Sequence, residues 1–238
     1  MYYNTNHNSI HIKRKLLQFL ILIPVLYACG QENTSKSAKI KNDINISNTI
    51  NNVGLQDSAA IALEKYIDTK YEYVAVNNQR LTIENSLPKG GLTYTDSSNT
   101  KYVYAIFWTR IKNETTNPFE LSLKVSSEFF ELPSSPNNYF KIVFPLEKMT
   151  LDKAPLFNYG IADIAATLGG NLYNYGSLHS TIPPNETALF YVITLFKKGV
   201  NGTMRAGLSL NNGKLYYRVN DKQIPSGQYN LKDLKLKN

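Results

Sequence analysis

The sequence predicts a mainly β protein, an immunoglobulin-like antiparallel β-sandwich carrying one or two short helices. Three observations lead there. Phe119-Glu-Leu121-Ser-Leu123-Lys-Val125-Ser alternates apolar and polar residues without a break, as a half-buried strand does. Lys101 to Lys112 is apolar on both faces, with Val103, Ala105, Phe107 and Ile111 on one and Tyr102, Tyr104, Ile106 and Trp108 on the other. That is the pattern of a central strand covered on both sides. Asn211-Asn212-Gly213 separates two short apolar segments, and Asn-Gly accepts the positive φ angles of a type I′ hairpin turn.

In chain order, Asp57-Ser58 reads as a helix start, with Ala59 to Ile67 following and Ile61, Leu63 and Tyr66 free to pack. Strands are expected at Tyr71–Val76 and Arg80–Glu84, then at Lys101–Lys112. Asn113-Glu-Thr-Thr-Asn-Pro118 is the turn into the alternating strand. Further strands are expected at Tyr139–Phe144, Thr187–Phe196, Met204–Leu210 and Lys214–Val219. A helix is expected over Tyr159–Leu168, with Ile161, Ile164, Ala165 and Leu168 on one face and Gly169-Gly170 as its stop. The tail Leu231–Lys237 alternates loosely with lysines, as an edge strand guarded by charge does. Short strands at regular spacing with turn residues between them are the signature of a sandwich.

Ahead of this domain the chain has a different character. Lys13-Arg14-Lys15 precedes the apolar run Leu16–Ala28, which is interrupted only by Gln18 and Pro24 and closes on Leu26-Tyr27-Ala28-Cys29. The run is shorter than the ~20 apolar residues of a spanning helix and fits the h-region of a signal peptide. The segment resembles the bacterial lipobox. The resemblance implies diacylglyceryl transfer to the Cys29 thiol and cleavage after Ala28. Two or three acyl chains on one residue hold durably where one binds marginally. The expected organisation is signal peptide 1–28, lipidated Cys29 and flexible tether 29–53, and a single β-rich domain 54–238. The tether is rich in Asn, Ser and Lys and too sparse in apolar residues for a core. A flexible chain of that length reaches ~27 Å on average. The expected address is the cell envelope, held by lipid, most naturally at the outer membrane.

Composition narrows the chemistry. Cys29 is the single cysteine, so no disulfide, CxxC pair or thiolate zinc site arises. Removing residues 1–28 takes away three basic residues and no acidic ones, leaving +5 of the +8 net charge. The basic residues are scattered, and no nucleic-acid module accompanies them. No cofactor or metal motif is present, and one histidine, His179, remains after cleavage. A Ser–His pair in Gly176-Ser177-Leu178-His179-Ser180-Thr181 lacks the spacing of a nucleophile and its base. Two carboxylate pairs, Glu128 with Glu131 and Asp152 with Asp163, are the residues a glycosidase would draw on. The expectation is nevertheless a binding or structural module rather than an enzyme.

Tyrosine is the compositional anomaly, with seventeen in the chain. Asn171-Leu-Tyr173-Asn174-Tyr175-Gly176 mixes rings with amides, and such surfaces suit sugars or protein partners. Asn171, Tyr173, Asn174 and Tyr175 are therefore the candidate ligand contacts, with an envelope protein or a glycan as partner. The segments Trp108-Thr-Arg110-Ile-Lys-Asn113, Met149-Thr-Leu-Asp152, Leu156-Phe-Asn158-Tyr159-Gly160 and Arg205-Ala-Gly207-Leu208 resemble those of uncharacterised Bacteroidota lipoproteins. The resemblance implies an envelope address and assigns no activity or site. Asp57-Ser58-Ala59 also resembles the short O-glycosylation sequence of exported proteins in that phylum, which makes Ser58 a candidate acceptor.

Overall fold

Lys101–Glu114 is the longest strand, and the other elements are arranged around it. The computed structural model describes residues 63–75, 77–169, 176–231 and 234–237. The signal segment, Cys29, the tether, Ser58 and the stretch 171–175 lie outside these.

The described chain is mainly β, with antiparallel curled sheets and few short helices. The strands are β1 Ile67–Val74, β2 Arg80–Ser86, β3 Lys89–Thr95, β4 Lys101–Glu114, β5 Phe119–Lys124, β6 Phe130–Leu132 and β7 Ser135–Val143. They continue with β8 Ser177–Ile182, β9 Glu186–Phe196, β10 Ala206–Asn211, β11 Lys214–Val219, β12 Lys222–Tyr229 and β13 Lys235–Leu236. One sheet runs β13-β1-β2-β4-β9-β7-β6, with β3 also on β4; the other runs β10-β11-β12-β5-β8. On one edge of β4, β2 pairs with its C-terminal half and β3 with its N-terminal half, while β9 lines the opposite edge. Where β2 ends, the Ser86 hydroxyl accepts the Trp108 N–H at 2.9 Å and replaces a ladder bond.

The two faces of β4 behave as its sequence predicts. Ala105, Phe107 and Ile111 join Phe119, Leu121, Leu123, Leu208, Leu215 and Tyr217 in a core between the sheets. Tyr102, Tyr104, Ile106 and Trp108 join Tyr191, Ile193 and Leu195 on the opposite face, under Met149, Ala154, Tyr159, Ile161 and Leu168. Strand β5 alternates buried and exposed throughout, and its outward face is solvated. Asn212 and Gly213 have φ of 47° and 77°, and Asn211 pairs with Lys214 across them. The tail pairs with β1 through Tyr73↔Leu236 and Val74↔Lys235, an edge strand as expected.

A buried amide ties the sheets together. Asn85 of β2, 1% exposed, accepts the Leu208 N–H at 2.8 Å and donates to the Leu208 carbonyl at 3.0 Å. It also accepts from Thr109 Oγ1 at 3.0 Å and donates to Thr69 Oγ1 at 3.1 Å. Two residues along β10, the Leu210 N–H donates to the Tyr73 hydroxyl at 2.8 Å. The free edge of β10 is thus satisfied by side chains of the other sheet. Gly207 makes room, because a Cβ there would stand 2.8 Å from the Asn85 amide.

Several elements depart from expectation for local reasons. The helix expected over Tyr159–Leu168 is confined to Ile164–Thr167, begun by Asp163, whose Oδ1 accepts the Ala165 and Ala166 N–H groups. Asn158, Tyr159 and Gly160 have φ of 48°, 55° and 81°, which a right-handed helix cannot contain. Ile161 and Leu168 are buried from the expected face, while Ala165 is exposed. At the N-terminal end, Ile67 already belongs to β1 and not to a helix. Strands β3, β6, β8 and β12 lie outside the segments whose alternation predicts a strand. β3 opens on Gly90-Gly91, and β12 contains Pro225 and Gly227, residues that argue against a strand interior. Gly227 (φ 149°) sits at the bulge where β11 and β12 change register, and a Cβ there would stand 1.9 Å from the Ser122 carbonyl oxygen.

Candidate functional site

The residues singled out for catalysis are spread over the surface and serve local structure. His179 lies on β8 opposite Ser122 of β5, and its Nδ1 is 3.1 Å from Ser122 Oγ. The partner is therefore a residue 57 positions away, and not the adjacent Ser177 or Ser180. Both side chains stand on the exposed face of the second sheet. Among the described residues no carboxylate bonds the other ring nitrogen, so the pair lacks the orienting group a nucleophile–base system uses. Asp163 caps the short helix, and Glu131 Oε1 accepts the Asn137 N–H at 2.9 Å. Glu128 and Asp152 are exposed. No group of three or more His, Cys, Asp or Glu among the described residues could hold a metal ion. The candidate contacts Asn171, Tyr173, Asn174 and Tyr175, together with Ser58 and Cys29, lie outside the described residues.

The chemistry expected of that tyrosine–asparagine stretch recurs in a groove of about 480 Å³ between β1, the β10 hairpin, β12 and the tail. Strand β1 supplies Tyr71 and Tyr73, with ring centroids 6.4 Å apart and planes tilted by 45°. The end of β10 and its hairpin supply Ser209, Leu210, Asn211 and Asn212, β12 supplies Gln223, and the tail supplies Leu234, Lys235 and Leu236. The period of two explains the arrangement: Tyr71 and Tyr73 share one face of β1. Tyr73 is buried, with its hydroxyl engaged by Leu210, whereas Tyr71 is half-buried. Burial pushes the Tyr73 phenol up to about 12, so it is neutral at physiological pH. The groove is therefore lined by the half-buried Tyr71 ring above buried Tyr73, three side-chain amides, a serine hydroxyl, three leucines and one lysine, with no carboxylate among them. Rings can cover apolar C–H surface, and amides can exchange hydrogen bonds with hydroxyls.

Sequence reading did not find this set. Tyr71 appeared as the start of a strand and Asn211-Asn212 as a turn; they converge only because β10 packs against β1 and β2. Three other surface cavities are lined by different chemistry. One of about 410 Å³ is walled by Pro88, Gly90, Gly91, Val103, Gly199, Gly202 and Met204. Another, of about 450 Å³, runs beside the β8 edge between Lys148–Leu151 and Thr187–Leu189. The third, about 310 Å³, is apolar and bounded by Leu63, Tyr66, Leu151, Ala154 and Pro155.

Among the described residues no helix is long and apolar enough to cross a membrane. No protein-family model, curated protein or solved structure matches the chain.

Proposed function

We propose that the chain is a lipid-anchored binding module of a bacterial envelope and that the groove beside Tyr71 takes carbohydrate. The observation that carries this reading is the lining of that groove, in which rings and amides converge without a carboxylate pair. Cys29 at the end of a signal-like run supports the anchor, and the likeness to Bacteroidota lipoproteins supports an outer-membrane address. The immunoglobulin-like form of the sandwich belongs to the same proposal. Two antiparallel sheets over one core favour it, and the chain crosses between them after β4, β5, β7, β8, β9 and β12. Asn171, Tyr173, Asn174 and Tyr175 form the second proposed contact.

A glycan array probed with the mature chain tests the ligand class. Reproducible hits are expected, weakened about 30- to 100-fold by Tyr71→Ala with Asn211→Ala. One stacked ring and one hydrogen bond each contribute ~1 kcal/mol or more. A blank array, or hits that the double variant leaves intact, removes the carbohydrate reading at this groove. Metabolic labelling with palmitate tests the anchor independently: label on the wild type is lost in Cys29→Ser.

A further inference from the structure

Six large apolar side chains are exposed among the described residues, and four of them belong to one stretch of chain. Leu146 is 90% exposed, Leu151 44%, Leu156 50% and Phe157 74%. This stretch is fixed from beneath. Lys153 Nζ pairs with Glu147 Oε1 at 3.1 Å and donates to the Lys148 carbonyl at 2.8 Å, holding its two limbs together. Lys89 Nζ donates to the Ala154 and Leu156 carbonyls at 2.7 and 2.6 Å. Met149, Ala154, Asn158 and Tyr159 are buried below. The exposed tips thus stand on a supported platform whose core-facing residues are already packed.

Two further observations bear on what covers these tips. The chain that leads from Cys29 enters the described fold at Leu63, and Leu63 and Tyr66 line an apolar cavity with Leu151, Ala154 and Pro155. The first described residue of the chain therefore stands beside Leu151. Lys65 and Asp152 line the same cavity, and Glu147 and Lys148, both exposed, follow Leu146 in the chain. The four exposed side chains offer on the order of 400 Å², about half of what one partner contributes to a stable protein interface. An interfacial lipid contact needs no such area, because it combines a few apolar side chains with nearby cations.

We infer that this corner, with Leu151, Leu156 and Phe157 at its centre and Leu146 beside them, is a contact surface for a phospholipid bilayer. The inference deepens the proposed function and rests on the lipid-anchor reading only for the direction from which the tether arrives. The apolar tips enter the boundary between headgroups and acyl chains, and the lysines remain at the level of the phosphates. The anchor supplies attachment, and this surface sets which side of the domain faces the lipid.

The test uses the mature chain carrying Cys29→Ser, which has no acyl group, and vesicles of phosphatidylethanolamine with phosphatidylglycerol as the minor lipid. The chain is expected to co-sediment with the vesicles. Binding should fall at least about tenfold in Leu156→Ser with Phe157→Ser, the transfer free energy of two large apolar side chains being lost. A Phe157→Trp variant adds a site-specific readout. Its emission should shift to the blue on vesicle addition and be quenched by lipids brominated on their acyl chains. Trp108, fully buried, supplies a constant background measured in the parent chain. Absence of sedimentation, an unchanged double variant, or a tryptophan at 157 that brominated lipid leaves unquenched overturns the inference. A blue shift without vesicles that grows with protein concentration assigns the surface to a second copy and also overturns it. Because no acyl group is present, failure here leaves palmitate labelling of the wild type free to succeed.

Discussion

Asn85 shows how much one side chain can carry when a fold uses it in place of backbone. Its amide meets Leu208 as a neighbouring strand would, through one donated and one accepted bond, and two threonines take up its remaining capacity. Asn85→Ala leaves the Leu208 N–H and carbonyl buried without partners. The expected loss is about 2–5 kcal/mol, since each unsatisfied backbone group costs ~1–3 kcal/mol. Urea unfolding reads it, with exposed Asn77→Ala as a control expected within about 0.5 kcal/mol of wild type. The result that contradicts this role is a melt of Asn85→Ala matching the control. No sequence pattern announces the residue, because its partner lies 123 positions away. Asparagine is legible elsewhere. Among the described residues, seven of the eight non-glycine residues with positive φ are asparagines, which tolerate that conformation in turns. The eighth is Tyr159, which the fold holds in place. Its hydroxyl donates to the Leu87 carbonyl at 2.7 Å, and its own carbonyl accepts from Tyr191 at 2.6 Å.

At the level of elements, β2 and β4 share a buried charge pair that alternation alone would not suggest. Glu84 and Arg110 are opposite each other in register and lie on the face away from the inter-sheet core. They form an ion pair with side chains 4% and 9% exposed. Lys112, its side chain 38% exposed, is 4.0 Å from the same carboxylate. Arg110→Met strands the Glu84 charge, with an expected cost of about 3–5 kcal/mol, and Glu84→Leu added to it should recover most of that. A thermal-melt double-mutant cycle checks the pair; a single variant as stable as the double would refute the coupling. Legibility followed the same logic across the sheet. β4 and β5 were readable because their neighbours leave a clean pattern, both faces covered in one case and one face in the other. β12 was not, because its bulge needs Gly227 and tolerates Pro225, and those residues ordinarily mark the end of a strand. The short helix was overestimated because apolar spacing carries no sign of the left-handed turn at Asn158-Tyr159.

Across the whole molecule, the centre of the first sheet is buried on both sides, and tyrosines report on each. Tyr73 lies in the core between the sheets and Tyr159 in the core on the far face. Burial raises both phenols to about 12 from the ordinary value of 10. The folded protein keeps protons that the unfolded chain has already lost in that interval. This contribution to stability is therefore complete below about pH 10 and is lost as pH rises towards 12. Urea midpoints should be level at the lower pH values and fall across that window, and Tyr73→Phe should make the fall shallower. A midpoint that stays level through the window counts against it. The candidate groove belongs to this scale too. Its residues come from β1, the β10 hairpin, β12 and the tail, so only the assembled sheets create it, and a sequence read in linear order shows its parts as strand and turn.

Strand β1 has one more consequence. It is the first strand after the chain enters the fold, and it also supplies the two rings of the groove. Under the proposed function, a ligand held at Tyr71 and a membrane holding Cys29 would pull on nearly the same point of the domain. The tension would run through Ile67 to Tyr71, and the groove contacts from Asn211, Asn212 and Gln223 would pass part of it to the second sheet. A domain loaded in this way would carry the force across β1 and the end of β10, which the Leu210 N–H and the Tyr73 hydroxyl join.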